Sequence, residues 1–364
     1  MPLELALDEA RAWLMLLRVP GLGPVSIREL LGRHGGAIAA LHAARHGWSG
    51  APDAALIDGD LRWLEAPNHH LLVCTSEDFP ALLRDIPGAP VALFVAGDPS
   101  SLWTAQIAIV GSRGATSGGR ANARAFAQAF AQAGNIVTSG LAEGVDAAAH
   151  EGALDAGGKT IAVLGTGVDI VYPRRHEKLA QRILEHGALV SEFSPGTPAK
   201  PEFFPRRNRI IAGLSLGTLV VEASLKSGSL ITARLAAEQG REVFALPGSI
   251  HSALARGCHR LIRDGAKLVE TAEEVLEELH GVGGMLAESL RRRLDVVMHA
   301  AAAPDPRAGD PDYVRLLAAL DTEPVALDEL VAHTQLPAAT LSSMLLVLEL
   351  DGAVVAENGR YSRR

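Results

Sequence analysis

Ile136-Val-Thr-Ser-Gly-Leu-Ala-Glu-Gly-Val-Asp146 changes character twice in one short stretch. The β-branched run Ile136–Ser139 reads as a strand, the glycines at 140 and 144 mark a turn, and Asp146 and His150, four apart, then stand on a helix. The same order of β-branched run, glycine-containing loop and helical stretch recurs in most cases after Ile107–Val110, Thr160–Leu164, Ala188–Glu192, Thr218–Val221 and Glu242–Leu246. Strands separated by crossover helices pair in parallel, so residues 67–280 are expected to form an α/β domain with a doubly wound, mostly parallel sheet. Ligands of such sheets bind beyond the carboxyl ends of the strands, where loops meet helix N-termini, so function is sought just after each strand.

On the N-terminal side, residues 1–66 carry Leu, Ala and Trp at helical spacing, interrupted by Pro20-Gly-Leu-Gly-Pro24. The run Val19–Leu31 resembles a helix-hairpin-helix, whose glycine turn can present N–H groups to a phosphate. Residues 1–66 hold six Arg against eight Asp or Glu, however, and a net of −2 favours a packing or partner-binding module. On the C-terminal side, residues 281–312 combine glycines, an alanine run and Pro-Asp-Pro, the composition of a linker. Beyond it, Tyr313–Leu320, Leu327–His333 and Ala338–Leu350 read as helices. Ala353–Ala356 and Arg360–Ser362 flank Asn358-Gly359, a type I′ hairpin signal. Three helices and a hairpin make 313–364 a winged helix.

A chain of 364 residues with 48% hydrophobic and only 4% aromatic residues suits an Ala/Leu/Val-rich α/β protein of two or three domains. Cys74 and Cys258 match neither a disulfide framework nor a metal-ligand spacing, and are expected as small core hydrophobes in a reducing compartment. The N-terminus is acidic where a leader would be basic, and no apolar run reaches the roughly 18 residues of a membrane helix. The expectation is a cytoplasmic protein without membrane insertion. Its net charge of −8 does not suggest nucleic acid, so the local distribution of charge has to decide.

That distribution is uneven. From Pro195 to Arg234, six basic residues (Lys200, Arg206, Arg207, Arg209, Lys226, Arg234) face two acidic ones, a local +4. Phe203 and Phe204 lie among these cations, and an aromatic ring beside an arginine-rich groove is what binds single strands, bases stacking on the ring while guanidiniums hold phosphates. One of the two rings is expected to face the core, and Arg207 to pair with Glu222 or Asp169 if it is structural. Small residues after the strands, Gly111-Ser112-Arg113, Ser139-Gly140 and Gly165-Thr-Gly167, add anion cradles, as does Lys226-Ser-Gly-Ser229 opening a helix. None is a clean GxGxxG, no Walker A pattern occurs, and neither a cofactor nor a metal is expected. Asp146, His150, Glu143 and Glu222 are the weak candidates for acid–base chemistry.

Together, Ile109-Val-Gly-Ser-Arg113, Ser139-Gly-Leu-Ala-Glu-Gly-Val-Asp146 with His150, Phe204-Pro-Arg-Arg-Asn-Arg-Ile-Ile-Ala-Gly-Leu-Ser215, Ser227-Gly-Ser-Leu-Ile-Thr-Ala233 and Leu246-Pro-Gly248 resemble the DprA (Smf) family over about residues 68–280. The resemblance implies an extended Rossmann fold that binds single-stranded DNA as a homodimer, protects incoming strands and loads the RecA recombinase during natural transformation, without catalysis. Carried over by position, it implicates Arg113, Lys200, Phe203, Arg206, Asn208, Arg209 and Lys226. His176 departs from the pattern, where many members carry Asn. A second resemblance, of Arg-Asn-Arg followed by Gly-Leu-Ser-Leu-Gly-Thr-Leu-Val-Val-Glu222, is to nucleotide phosphoribohydrolases, and makes Glu222 the catalytic group of the alternative reading. In the winged helix, residues 313–364 hold four Arg against seven Asp or Glu, and the candidate recognition helix carries no Lys or Arg. A protein-interaction or regulatory role is therefore expected there rather than DNA readout.

Overall fold

The computed structural model describes residues 5–44, 50–279, 311–320, 325–338, 340–341, 344–345, 348, 354–357 and 360–363. The chain divides into two compact units, Met1–Arg291 and Arg292–Arg364.

The first unit begins with α1 (Leu7–Arg18), α2 (Pro24–His34), α3 (Ala37–Ala44) and α4 (Ala54–Leu64). Pro24 takes the first helical position of α2, where its missing N–H has no partner to lose. There follow β1 (His69–Val73), α5 (Ala81–Arg84), β2 (Ala92–Gly97), β3 (Gln106–Val110), α6 (Ser117–Gln132), β4 (Ile136–Ser139), α7 (Val145–Asp155), β5 (Thr160–Val163), α8 (Glu177–His186) and β6 (Ala188–Ser191). The unit continues with α9 (Phe203–Leu214), β7 (Gly217–Val220), α10 (Ser229–Glu238), β8 (Glu242–Ala245), α11 (Arg256–Arg263) and β9 (Lys267–Leu268).

All nine strands join one sheet in the order β1-β2-β6-β5-β4-β3-β7-β8-β9. From β6 to β9 every pairing is parallel. The six strands expected from β-branched runs are all there; β1 and β2, which add antiparallel to the edge at β6, and the two-residue β9 beside β8 were not anticipated. After β3 the chain steps outward to β4, β5 and β6, and after β7 it steps the other way to β8 and β9. The crevice of this doubly wound sheet therefore lies where β3 and β7 run side by side.

Alternation along β1 and β2 shows how the N-terminal helices are held. Leu71, Val73, Phe94 and Ala96 pack on one side with Trp13, Leu14 and Leu16, whereas Leu72, Leu93 and Val95 pack on the other with Phe79, Leu83 and Ile210. The helices and the sheet thus share one core. Arg18 reinforces the join: its guanidinium forks onto Asp60 at 2.5 and 2.6 Å and also donates to the Pro195 carbonyl at 3.0 Å. Arg28 donates to the carbonyls of Ala89 and Pro90.

The second unit has helices at Pro311–Ala319 and Leu327–Thr334 and a small sheet of β10 (Val325–Ala326), β11 (Val354–Glu357) and β12 (Arg360–Arg363), in the order β10-β12-β11. Its core gathers Leu316, Leu330, Leu341 and Leu345, as a winged helix requires. Glu357 pairs with Arg360, the register a two-residue turn produces, although Asn358-Gly359 itself lies outside the described residues. So do residues 281–310 of the expected linker and much of the expected helix Ala338–Leu350. Among the described residues, no helix is long and apolar enough to cross a membrane, and no cluster of side chains could hold a metal ion.

Candidate nucleic-acid interface

A cleft of about 600 Å³ opens where β3 and β7 end, lined by Gly111, Ser112, Arg113, Phe204, Arg207, Asn208 and Ser229. One residue of the neighbouring strand end shapes the loop that carries Arg113. The Glu222 carbonyl accepts the Ser112 N–H at 2.7 Å, and its carboxylate accepts both the Thr116 N–H (2.9 Å) and the Thr116 hydroxyl (2.7 Å). Thr116 in turn caps α6 by accepting the Gly119 N–H. A Cβ at 119 would lie 2.3 Å from the Glu222 Cδ and displace this carboxylate, and glycine is needed at 144, where φ is +78° and a Cβ would meet the Ser112 carbonyl. The positive end of α6 is therefore already matched by a carboxylate. The start of α10 carries no such carboxylate; there the Ser227 hydroxyl accepts the Ser229 N–H at 3.3 Å, and the Ser227 and Ser229 hydroxyls lie 2.7 Å apart.

Beneath the cleft lies a buried polar layer. Arg207 is 4% exposed and spends its guanidinium on the Gly140 carbonyl (2.7 Å), the Val163 carbonyl and the Asn208 side chain. Burial lowers its pKa to about 10, against the pull of Asp146 across from it. The expected pairings of Arg207 with Glu222 or Asp169 are absent; Glu222 caps α6 and Asp169 accepts the Gly196 N–H. Asp146 accepts the N–H groups of Gly140 and Ala142, and burial pushes its carboxyl pKa up. Ser139, also buried, donates to the Ile109 carbonyl. Ser139, Gly140 and Arg207 thus brace the strand ends.

The weak acid–base candidates do not converge. His150 is fully buried with Nδ1 on the Thr160 hydroxyl, and burial drives its pKa down to about 3. Glu143 pairs with Arg175. His176, the departure noted in the sequence, bonds the Leu141 carbonyl and so pins the Gly140–Gly144 loop.

The two phenylalanines part company at the first turn of α9, and neither is in the core. Phe204 turns toward the first cleft, its ring 5.4 Å from Tyr172 and 5.6 Å from the Arg113 guanidinium. Phe203 turns the other way and stacks on Phe193 at 4.2 Å, with the Lys200 ammonium 5.4 Å above it. Arg206 covers Phe193 from a further side at 5.3 Å. Arg206 and Arg209 both donate to one oxygen of Glu192, which is 3% exposed; Arg209 is itself nearly covered and Arg206 only half so. A second cleft of about 480 Å³, lined by Phe193, Arg206, Arg18, Leu22 and Leu56, opens on this side.

The site residues expected from sequence therefore fall into two groups on either side of α9. Lys226 stands apart and exposed, in a depression with Leu225 and Arg234. Tyr172 and Phe193 were missed. Tyr172 had a signal, since it precedes Arg174-Arg175 in the same aromatic-plus-basic pattern that drew attention to 203–209, and it is 48% exposed.

Comparison with known proteins finds matching family models for three parts of the chain. The model of the family DNA recombination-mediator protein A matches residues 70–280, that of a DprA winged helix domain residues 300–360, and that of a DprA-like N-terminal HHH domain residues 7–44. Protein Smf of Escherichia coli is 44% identical over 308 residues, which cover 84% of this chain and 80% of that protein. DNA processing protein DprA of Streptococcus pneumoniae is 46% identical over 200 residues, 55% and 71% of the two chains. Its crystal structure superposes with a TM-score of 0.65 at 34% identity, covering 76% of this chain and 99% of that one. The Helicobacter pylori protein, solved for its single-stranded DNA binding mode, gives a TM-score of 0.53 at 29% identity over 58% and 95%.

Proposed function

This chain belongs to the family of DNA recombination-mediator protein A, the DprA/Smf family, and from that premise we propose that it is a single-stranded-DNA-binding protein. The observation that carries the reading is the pairing of a cation with an aromatic ring on both sides of one helix start, Arg113 with Phe204 and Lys200 with Phe203. Bases stack on rings and phosphates rest on cations only when the bases are unpaired, since a duplex hides their faces. The Helicobacter relative's single-strand binding mode supports the same substrate. Strand contacts are assigned to Gly111, Ser112, Arg113, Lys200, Phe203, Arg206, Asn208, Lys226 and Ser229, with Arg207, Arg209, Ser139 and Gly140 holding them in place.

The family resemblance extends the proposal. The protein works in the cytoplasm on incoming strands during natural transformation, protects them and loads the RecA recombinase. It does so as a homodimer, in which pairing two short binding grooves raises avidity.

Fluorescence anisotropy with a labelled oligonucleotide and its duplex tests the core of this reading. Single strands should bind in preference to duplex, and Arg113→Ala or Lys200→Ala should each weaken binding about tenfold and reduce the salt slope by about one. Unchanged affinity and slope in both variants would overturn it.

A further inference from the structure

The loop that follows β5 reaches the cleft of Arg113 from the flank opposite α10. β5 stands two strands from β3, beyond β4, whereas β7 and the helix after it lie on the other side, so a strand held at Arg113 has two ways out along the carboxyl ends of the sheet. On the α10 side the Ser227 and Ser229 hydroxyls bond each other, and Lys226 lies in a separate depression. On the β5 side, Tyr172 lines the cleft and is 48% exposed. Its ring meets that of Phe204 at 5.4 Å with a tilt of 43°; among the described residues no other ring or cation covers it, and its hydroxyl bonds nothing. Unlike Phe203, which is stacked on Phe193 under the Lys200 ammonium, Tyr172 offers an open ring to an unpaired base.

The residues just beyond Tyr172 are cationic. Up to Lys178, Arg174, Arg175 and Lys178 stand against Glu177 alone, a local +2 in a chain of net −8. Arg175 is spent on Glu143. The Arg174 side chain is 92% exposed, and its one carboxylate neighbour, Glu177, is 3.9 Å away and 60% exposed, a pairing that contributes little. Lys178 is exposed and pairs with no carboxylate among the described residues. The backbone beneath these two cations is nonetheless pinned: the His176 N–H donates to the Pro173 carbonyl, its ring bonds the Leu141 carbonyl, and the Thr166 hydroxyl donates to the Ile170 carbonyl. A loop already held in shape loses less freedom when a ligand settles on it.

We propose that the strand leaves the cleft over the β5 loop, with a base stacked on Tyr172 and the adjoining phosphates held by Arg174 and Lys178. The inference rests on the single-strand reading above and adds to it three contacts and a direction.

Anisotropy titrations of the full chain with an oligothymidylate and with an abasic strand of the same length test it. Tyr172→Ala should weaken binding of the thymidylate about tenfold, the loss of one stacked base, and leave the abasic strand unchanged. Tyr172→Phe, which keeps the ring and removes a hydroxyl that bonds nothing, should bind both as the parent does. Arg174→Ala combined with Lys178→Ala should weaken both strands and lower the salt slope by about 1.4, the counterions of two single-strand phosphates. Parental affinity of Tyr172→Ala for the thymidylate, an equal loss on both strands, or an unchanged slope in the double variant would each overturn the path over β5 while leaving binding at Arg113 intact. A parent that bound neither strand would instead remove the reading on which the path rests.

Discussion

Three arginines in the run 206–209 look alike in sequence and do three different things. Arg207 is sunk into strand-end carbonyls, Arg209 is nearly covered on Glu192, and Arg206 shares that carboxylate from the surface. The charged cluster was legible because segregated charge needs no structure to be seen. The division of labour was not, because it depends on which face of α9 each residue occupies and on a glutamate reached only through folding. His150 shows the same limit, since its spacing from Asp146 suggested chemistry and its burial removes it. Held neutral, with a pKa near 3 against 6.5 for the ordinary imidazole, it takes no proton in the folded state across that interval while the unfolded chain does. Stability should therefore fall as pH drops from 6.5 toward 3, by up to about 1.4 kcal/mol per unit, with no contribution from this residue above that window. Urea midpoints measured from pH 6.5 to 4 should decline less steeply in His150→Gln than in the parent, and parallel profiles would contradict the assignment.

Among the elements, the parallel strands β3 to β8 were readable because they are short, mostly β-branched runs, in most cases with a glycine loop behind them. β1 and β2 were not, since His69-His-Leu-Leu-Val73 and Ala92-Leu-Phe-Val-Ala-Gly97 are separated by only the single turn of α5 and break the rhythm of strand and crossover helix. The start of α6 was misjudged in a more informative way. Glu222 entered as a catalytic alternative, yet its carboxylate and carbonyl hold both ends of the loop on which Arg113 sits. A carboxylate at a helix N-terminus, bonded to the capping threonine, contributes about 1 kcal/mol to stability. Its larger effect should be on binding, through the aim of Arg113. Glu222→Ala is expected to lower the melting temperature by a few degrees and to weaken single-strand binding about fivefold, with Glu222→Gln intermediate because it keeps one acceptor. A variant that melted earlier but bound normally would show that the clamp serves the helix alone.

At the scale of the whole molecule, the two units differ in how they can be separated from function. The N-terminal helices cannot be removed cleanly, because Trp13 and Leu16 are packed with Leu71 and Phe94 of the sheet and Arg18 is shared with Asp60 and Pro195. Truncating them would expose a face of the nine-stranded sheet. Residues 292–364 form a compact unit of their own, with a core built from Leu316, Leu330, Leu341 and Leu345, and the described residues that line the two clefts all belong to the first unit. Its charge points the same way, since a net −3 over 313–364 repels phosphates and the Ala338–Leu350 segment has no cation to offer them. Ending the chain after Arg291 should consequently leave single-strand affinity within about threefold of the parent, a difference below 1 kcal/mol. Salt slope should be unchanged as well, because no phosphate contact is lost. A much weaker, flatter titration from the shortened chain would mean that the winged helix touches the strand after all, through the arginines at 360, 363 and 364 rather than through its helix.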